Sequence, residues 1–140
     1  VLSASWDDPD FAWDRLDLAL IRSTWDYHQR IDEFRDWLDR VEKQTRVVNP
    51  PGILRWNLNK RYLTELTDRG IHAVPTAFVG IGETASLEKI CGEHGWGTVV
   101  LKPAISADSW ETIRIEPDGY PEGQAYLERH RAELEAPDEA

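Results

Sequence analysis

The chain has 140 residues, 41% of them hydrophobic, and carries a formal net charge of -10 at pH 7. This length holds one ordinary core, or one small domain and the beginning of another. The acidity excludes broad affinity for nucleic acid or anionic lipid, because the sequence-independent part of both interactions needs a basic surface.

No apolar run approaches the length of a membrane span. The single cysteine, Cys91, permits no intrachain disulfide, so the cytoplasm is the default compartment. At the start, Val1 to Ser5 reads as the end of a strand, with neither the charged nor the apolar region of a signal peptide, and the sequence is expected to be a piece of something longer. Asp7-Asp8-Pro9-Asp10 is an acidic turn. The run Asp17 to Ile21 is short and continuously apolar, which predicts a parallel-sheet strand buried on both faces. From Ile31 to Thr45, Ile31, Phe34, Trp37, Leu38 and Val41 fall on one helical stripe. Arg46-Val47-Val48 is a brief strand stopped by Asn49-Pro50-Pro51-Gly52.

Strand, helix and strand in this order form a crossover unit, whose ligand crevice lies at the carboxyl ends of the strands. The stretch Arg22 to Tyr27 sits at one such end. Farther on, Asn59 caps a predicted helix over Lys60 to Arg69, with Tyr62, Leu63 and Leu66 inward and Gly70 as its stop. A strand is expected over His72 to Val79, then a helix over Thr84 to His94 with Leu87, Ile90 and Cys91 inward. Thr98 to Lys102 and Glu111 to Ile115 pair as a hairpin around the loop Pro103 to Trp110. Pro121 opens a last helix, anchored by Tyr126, Leu127 and Leu134, which runs to Glu135. The pattern changes near residue 50, so the expected fold is α/β with a parallel-sheet domain over 1–50, an α+β domain over 51–136 and a disordered tail over 137–140.

Two lysines stand out chemically. Lys102 ends the run Thr98 to Leu101 directly before Pro103, which directs the exit of the chain and so aims the ammonium. Lys60 and Arg61 lie in a helix's first turn, where the dipole disfavours cations by roughly 0.3–1 kcal/mol each, and that misplacement suggests a nearby anion. Arg22, directly after a buried strand, must either pair with a carboxylate, for which Asp26 is the internal candidate, or reach a carboxylate-bearing or phosphorylated ligand. Arg22, Ser23, Thr24 and Asp26 are therefore the candidate substrate-binding residues. Trp25 and Tyr27, like Trp56 and Asn57, either line that crevice or pack as core. The seven tryptophans are spread along the chain and suit bulky core and interface positions better than a base-stacking platform. Cys91 falls on an inner helix face, where thiols are inert. His28, His72, His94 and His130 have no partner at metal-ligand spacing, and neither the nucleophile-elbow nor the phosphate-loop motif occurs.

Several ordered segments carry a resemblance over about Trp6 to Ile115: Leu20 to Tyr27, Asn49-Pro50-Pro51, Arg55 to Leu63, Val74-Pro75-Thr76 and Val100 to Ala104. In this order they resemble bacterial ATP-grasp proteins of the glutathione-synthetase-like group, including those related to the cyclo-ligase of cycloserine biosynthesis. The resemblance implies a partial Rossmann-like pre-ATP-grasp domain followed by the first α+β lobe of an ATP-grasp domain. It also implies that Lys60 and Lys102 face ATP phosphates and that the loop after Lys102-Pro103, with Ser106 in it, covers the triphosphate. The implied activity is an ATP-dependent carboxylate–amine ligation through an acyl phosphate, on small-molecule carboxylate and amine substrates, with no nucleic-acid or membrane partner.

Two departures accompany the match. The covering loop reads Ala104-Ile105-Ser106-Ala107-Asp108-Ser109-Trp110, with no glycine and one acidic residue. The second lobe, which in this family supplies the ligands for Mg2+, is not in the sequence, so those ligands are expected outside this chain. The 140 residues alone are expected to bind nucleotide weakly or not at all and to turn nothing over. The reading from another class is a non-catalytic α/β partner-binding module, with both lysines on the surface and the tryptophans at an interface.

Overall fold

The strongest periodic signal becomes a helix, α1 (Ile31–Gln44), whose stripe of Phe34, Trp37, Leu38 and Val41 is buried. This computed structural model describes residues 1–80 and 82–135, with side chains through His130. The expected tail over 137–140 and the side chain of Leu134 lie outside the described residues. The chain packs as two compact units, Val1–Glu65 with Ile105–Asp108, and Leu66–Ala104 with the residues from Ser109 on. The change of pattern near residue 50 falls inside the first unit.

In the first unit, β1 (Ala19–Leu20) pairs in parallel with β2 (Val47–Val48), Ala19 opposite Val47 and Leu20 opposite Val48. The crossover through α1 is as the sequence predicts. Burial on both faces is not: Ala19 and Ile21 are buried, whereas Leu18 and Leu20 are 48% and 58% exposed. Neighbouring residues of a strand point to opposite faces, and only one face of this pair is covered. Val1 to Ser5 forms no strand and is exposed. Thr45 Oγ1 donates to Leu16 O at 2.8 Å, and Asn49, in the left-handed conformation that Asn tolerates, donates from its side chain to Ile21 O.

The segment expected only to stop β2 instead starts a helix, α2 (Pro51–Asn57). A proline in the first turn has its φ preset and lacks an N–H that would go unpaired there, so Pro51 initiates as readily as it interrupts. Asn59 behaves as a cap, its Oδ1 accepting from the Arg61 N–H at 3.0 Å. Yet α3 (Tyr62–Asp68) begins two residues later than expected, and Lys60 and Arg61 form the turn that leads into it. Gly70, at φ 79°, ends this helix, while the Ile71 N–H returns to Leu66 O at 2.9 Å.

The core of the first unit is aromatic. Trp6 meets Phe34 edge-on at 5.4 Å between ring centroids, and Trp13 meets Trp37 at 5.3 Å. Ile21, Leu38, Val41 and Leu58 fill the spaces between rings, with Tyr27 and Leu54 packed against them.

In the second unit, residues 72–79 form no strand. Pro75 has no N–H to donate to a ladder, and no described segment pairs with this one. Next, α4 (Leu87–His94) is capped by the Ser86 hydroxyl, which accepts from the Lys89 N–H, and closed by Gly95 at φ 67°. The predicted hairpin is present: β3 (Val99–Leu101) runs antiparallel to β4 (Ile113–Ile115), with Val100 opposite Arg114. Helices α4 and α5 (Tyr120–Glu135) enclose a smaller, mainly aliphatic core of Leu87, Cys91 and Ile115. Their join is close at Gly123, where a Cβ would overlap Leu87 and come within 3.3 Å of both Ile115 and Leu101. Gln124 ties the two helices by accepting from the Leu87 N–H at 2.9 Å and donating to Ala85 O at 3.0 Å. Cys91 is buried, as its place on the inner face predicts.

Candidate functional site

Lys60 reaches its position because the Asn59 cap turns the chain into α3 one residue before it. Its ammonium donates to two oxygens of one residue, Ser106 O at 2.9 Å and Ser106 Oγ at 2.7 Å. Ser106 is 9% exposed, and both residues belong to the first unit. A carbonyl and a hydroxyl 2.7–2.9 Å from an ammonium present the oxygen pair that a phosphate would offer, and charge-assisted bonds of this length are the strong ones. Of the residues the sequence singled out, these two are brought together.

The loop that carries Ser106 has no glycine, yet it takes glycine-like backbone conformations. Asp108 and Ser109 have φ of 51° and 58°, and Glu111, just beyond, has 50°. Each such position costs about 1 kcal/mol or more for a residue with a Cβ, so surrounding contacts must hold the path of this loop.

Lys102 lies in the second unit, exposed, one residue after β3, and forms no ion pair with a described residue. So apolar a run suggests a buried strand, but Val100 is 55% exposed, and β3 pairs with β4 in a sheet of two strands.

At the end of β1, Arg22 and Ser23 are exposed and Thr24 is half-buried. Asp26 does not pair with Arg22. Its carboxylate accepts from Trp6 Nε1 at 3.0 Å and from Arg30 Nη2 at 3.0 Å. The same Arg30 nitrogen reaches Asp7 Oδ2 at 2.6 Å, and the guanidinium lies 4.7 Å from the Trp6 ring centroid. The Trp6 indole first, and then Arg30, hold the Asp26 carboxyl below its ordinary value. Asp7 is lowered too, by the Ser5 hydroxyl and then by Arg30. Sequence reasoning missed Arg30, although its spacing of four from Asp26 was a readable signal. Asp7 has no such signal, because it lies 23 residues from Arg30.

The aromatic alternatives also separate. Trp25 is 65% exposed, while Tyr27 packs against the first core. Trp56 packs against Tyr62 with the rings tilted by 50°, and donates to Glu65 Oε2 at 2.8 Å. Trp6 and Trp37 are core residues, and Trp13 packs against them. A cleft of about 600 Å3 opens beside them, lined in part by Phe11, Arg30, Asp36 and Arg40. Sequence reasoning did not find it, since its walls come from the Trp6–Asp14 segment and from α1. Among the described residues, no group of three or more His, Cys, Asp or Glu side chains is placed to hold a metal ion, and no helix is long and apolar enough to cross a membrane.

Residues 1–49 match the family model of the D-cycloserine synthetase DcsG N-terminal domain. The described chain is a mixed α/β structure that superposes on the crystal structure of D-cycloserine synthetase DcsG with a TM-score of 0.81 and 26% identity. That match covers 91% of this chain and 44% of the other. In sequence the chain is similar to the cycloserine biosynthesis protein DcsG of Streptomyces lavendulae, 36% identical over 80 residues, which is 57% of this chain and 27% of that protein. The chain is thus homologous to cycloserine synthetase and spans less than half the length of the relatives it matches.

Proposed function

We propose that this chain carries part of an ATP-dependent carboxylate–amine ligase of the ATP-grasp type. Its residues 1–50 would belong to a Rossmann-like pre-ATP-grasp domain and those after 50 to the first nucleotide-binding lobe. The homology to a biosynthetic synthetase supports this reading, and so do the ordered motifs around Lys60 and Lys102. The observation that carries it is the Lys60 ammonium held at 2.7–2.9 Å from two oxygens of the loop that follows Lys102-Pro103.

In this reading Lys60 and Lys102 are the phosphate-facing cations, and Ser106 belongs to the loop that covers the triphosphate. Bound ATP would activate the substrate carboxylate as an acyl phosphate, from which an amine displaces phosphate. The chain's own share is positioning and charge neutralisation: two ammonium groups stabilise oxygens that gain charge, without transferring a proton. Arg22, with Ser23 and Thr24 beside it, suits a substrate carboxylate. Asp26 serves less as a direct ligand than as the carboxylate that, with Arg30 and Trp6, fixes the turn below them. Magnesium belongs to the same reading, with ligands outside the described residues.

Of the two outcomes expected of the 140 residues alone, weak binding or none, the proposal requires weak binding, and titration calorimetry of the chain with ATP and Mg2+ tests it. Lys60→Met and Lys102→Met should each weaken binding about tenfold or more, the effect of losing a charge-assisted bond of about 1.5–3 kcal/mol. Binding that both substitutions leave unchanged would remove the nucleotide assignment.

A further inference from the structure

We infer that Ser106 is a built-in competitor for Lys60, an internal anion surrogate that holds the ammonium until a phosphate displaces it. The inference rests on the phosphate-binding role proposed above and concerns how that site is kept before ligand arrives. Three observations carry it. First, both oxygens of Ser106 accept from the same ammonium, at 2.9 and 2.7 Å, so Ser106 fills the directions in which a phosphate's oxygens would approach. Second, among the described residues Ser106 is the one polar residue classed with the buried set, and it lies in a loop whose neighbours Ala104, Ile105 and Ala107 are only half-buried. A lone buried polar residue on such a segment is held there by its polar partners rather than by apolar packing. Third, the backbone after it enters left-handed conformations at Asp108 and Ser109 without a glycine, a path that has to be held by contacts and that lies within three residues of the Lys60 bond.

An occupied ammonium also answers a problem of charge. The chain is strongly acidic, and Asp108 stands two residues from Ser106. A neutral residue can hold Lys60 where a nearby carboxylate would bind it too tightly to yield. Exchange then swaps two neutral acceptors for charged oxygens, which favours a polyanion and disfavours a neutral or weakly acidic ligand. In such a scheme the apparent affinity is lowered by the fraction of molecules in which Ser106 occupies the lysine.

The sign of one substitution separates this role from simple participation in binding. Inorganic triphosphate is titrated into the full chain by calorimetry. Ser106→Ala removes one of the two competing oxygens and should tighten binding severalfold. Unchanged or weaker binding overturns the inference, because a hydroxyl that helps to hold the ligand gives a loss. Lys60→Met should weaken triphosphate binding about tenfold or more and, without any anion, speed hydrogen exchange of the 105–108 amides; unaltered exchange there also overturns it. If Ser106→Ala does not fold, the wild-type chain still decides the matter: saturating triphosphate should change exchange across 105–108, and binding without such a change overturns the inference. Absence of any triphosphate binding defeats the phosphate-binding reading itself and this inference with it, and that outcome is distinct from binding that Ser106→Ala does not tighten.

Discussion

Each unit carries one of the two lysines that the sequence singles out, and the surroundings of Lys60 and Lys102 could hardly differ more. Lys60 is held by a buried serine in a unit built on interlocked aromatic rings, with Arg30 fastening the Trp6–Asp26 region at its edge. Lys102 stands exposed at the end of a two-stranded hairpin whose core is small and aliphatic. The sequence context favoured Lys102, since a β-branched run followed by proline looks like an aimed cation. The comparison teaches that a strand's composition does not bury its end. A neighbouring chain segment with an acceptor does so, and for Lys60 that segment comes from 46 residues away.

The difference between the two cores can be broken in order of effect. Trp37→Ala should be the most damaging, at about 3–5 kcal/mol in denaturant unfolding, because Trp37 is 4% exposed and touches the rings of Trp6, Trp13 and Phe34. Trp37→Phe should cost far less, since the indole nitrogen has no hydrogen-bond partner among the described residues. A Trp37→Ala protein as stable as wild type would show that the aromatic packing does not carry the first unit.

In the second unit the sharpest point is a missing side chain. Gly123→Ala forces a methyl into Leu87, and the expected cost of about 1–3 kcal/mol exceeds the roughly 1 kcal/mol that alanine gains in helix propensity. Thermal unfolding measures it, and a stabilised variant would mean that α4 and α5 can separate freely at this join.

The smallest effect is electrostatic. Asp26 has its carboxyl lowered from the ordinary 3.8 in the folded chain, so the unfolded chain binds protons more readily there. Its contribution is therefore present above about pH 3.8 and is lost as pH falls through the lower folded value. Its side chain is 48% exposed, which screens the ion pair to below about 1 kcal/mol. Asp26→Asn should lose that contribution, below about 1 kcal/mol, at pH 7 and converge with wild type in acid, which flattens the fall in stability below pH 3.8. An unchanged acid slope would assign that fall to other carboxylates.

Much of the fold was legible because its signals are local. The stripe of α1, the Asn59 cap, the Gly70 and Gly95 stops and the pairing of the hairpin all depend on spacings within one element or between two neighbours. The failures share a cause as well. Val74 and Phe78 look like strand residues, but Pro75 breaks the ladder and no described strand lies beside them. Pro51 reads as a stop after β2 and as a start before α2, and only the following residues choose between these. At the candidate site, Asp26 and Arg22 are close in sequence with opposite charges, yet Asp26 is taken by Arg30 and Trp6.

The sequence by itself determined the order of elements, the apolar faces that must be buried and which residues bear charge, because these follow from periodicity and side-chain chemistry. Tertiary structure alone decided which of those charges are occupied. Lys60 meets Ser106, and Arg30 meets Asp7, only after segments 46 and 23 residues apart have folded together. A hydrogen bond is made or lost within a few tenths of an ångström, a distance that no linear pattern of residues encodes.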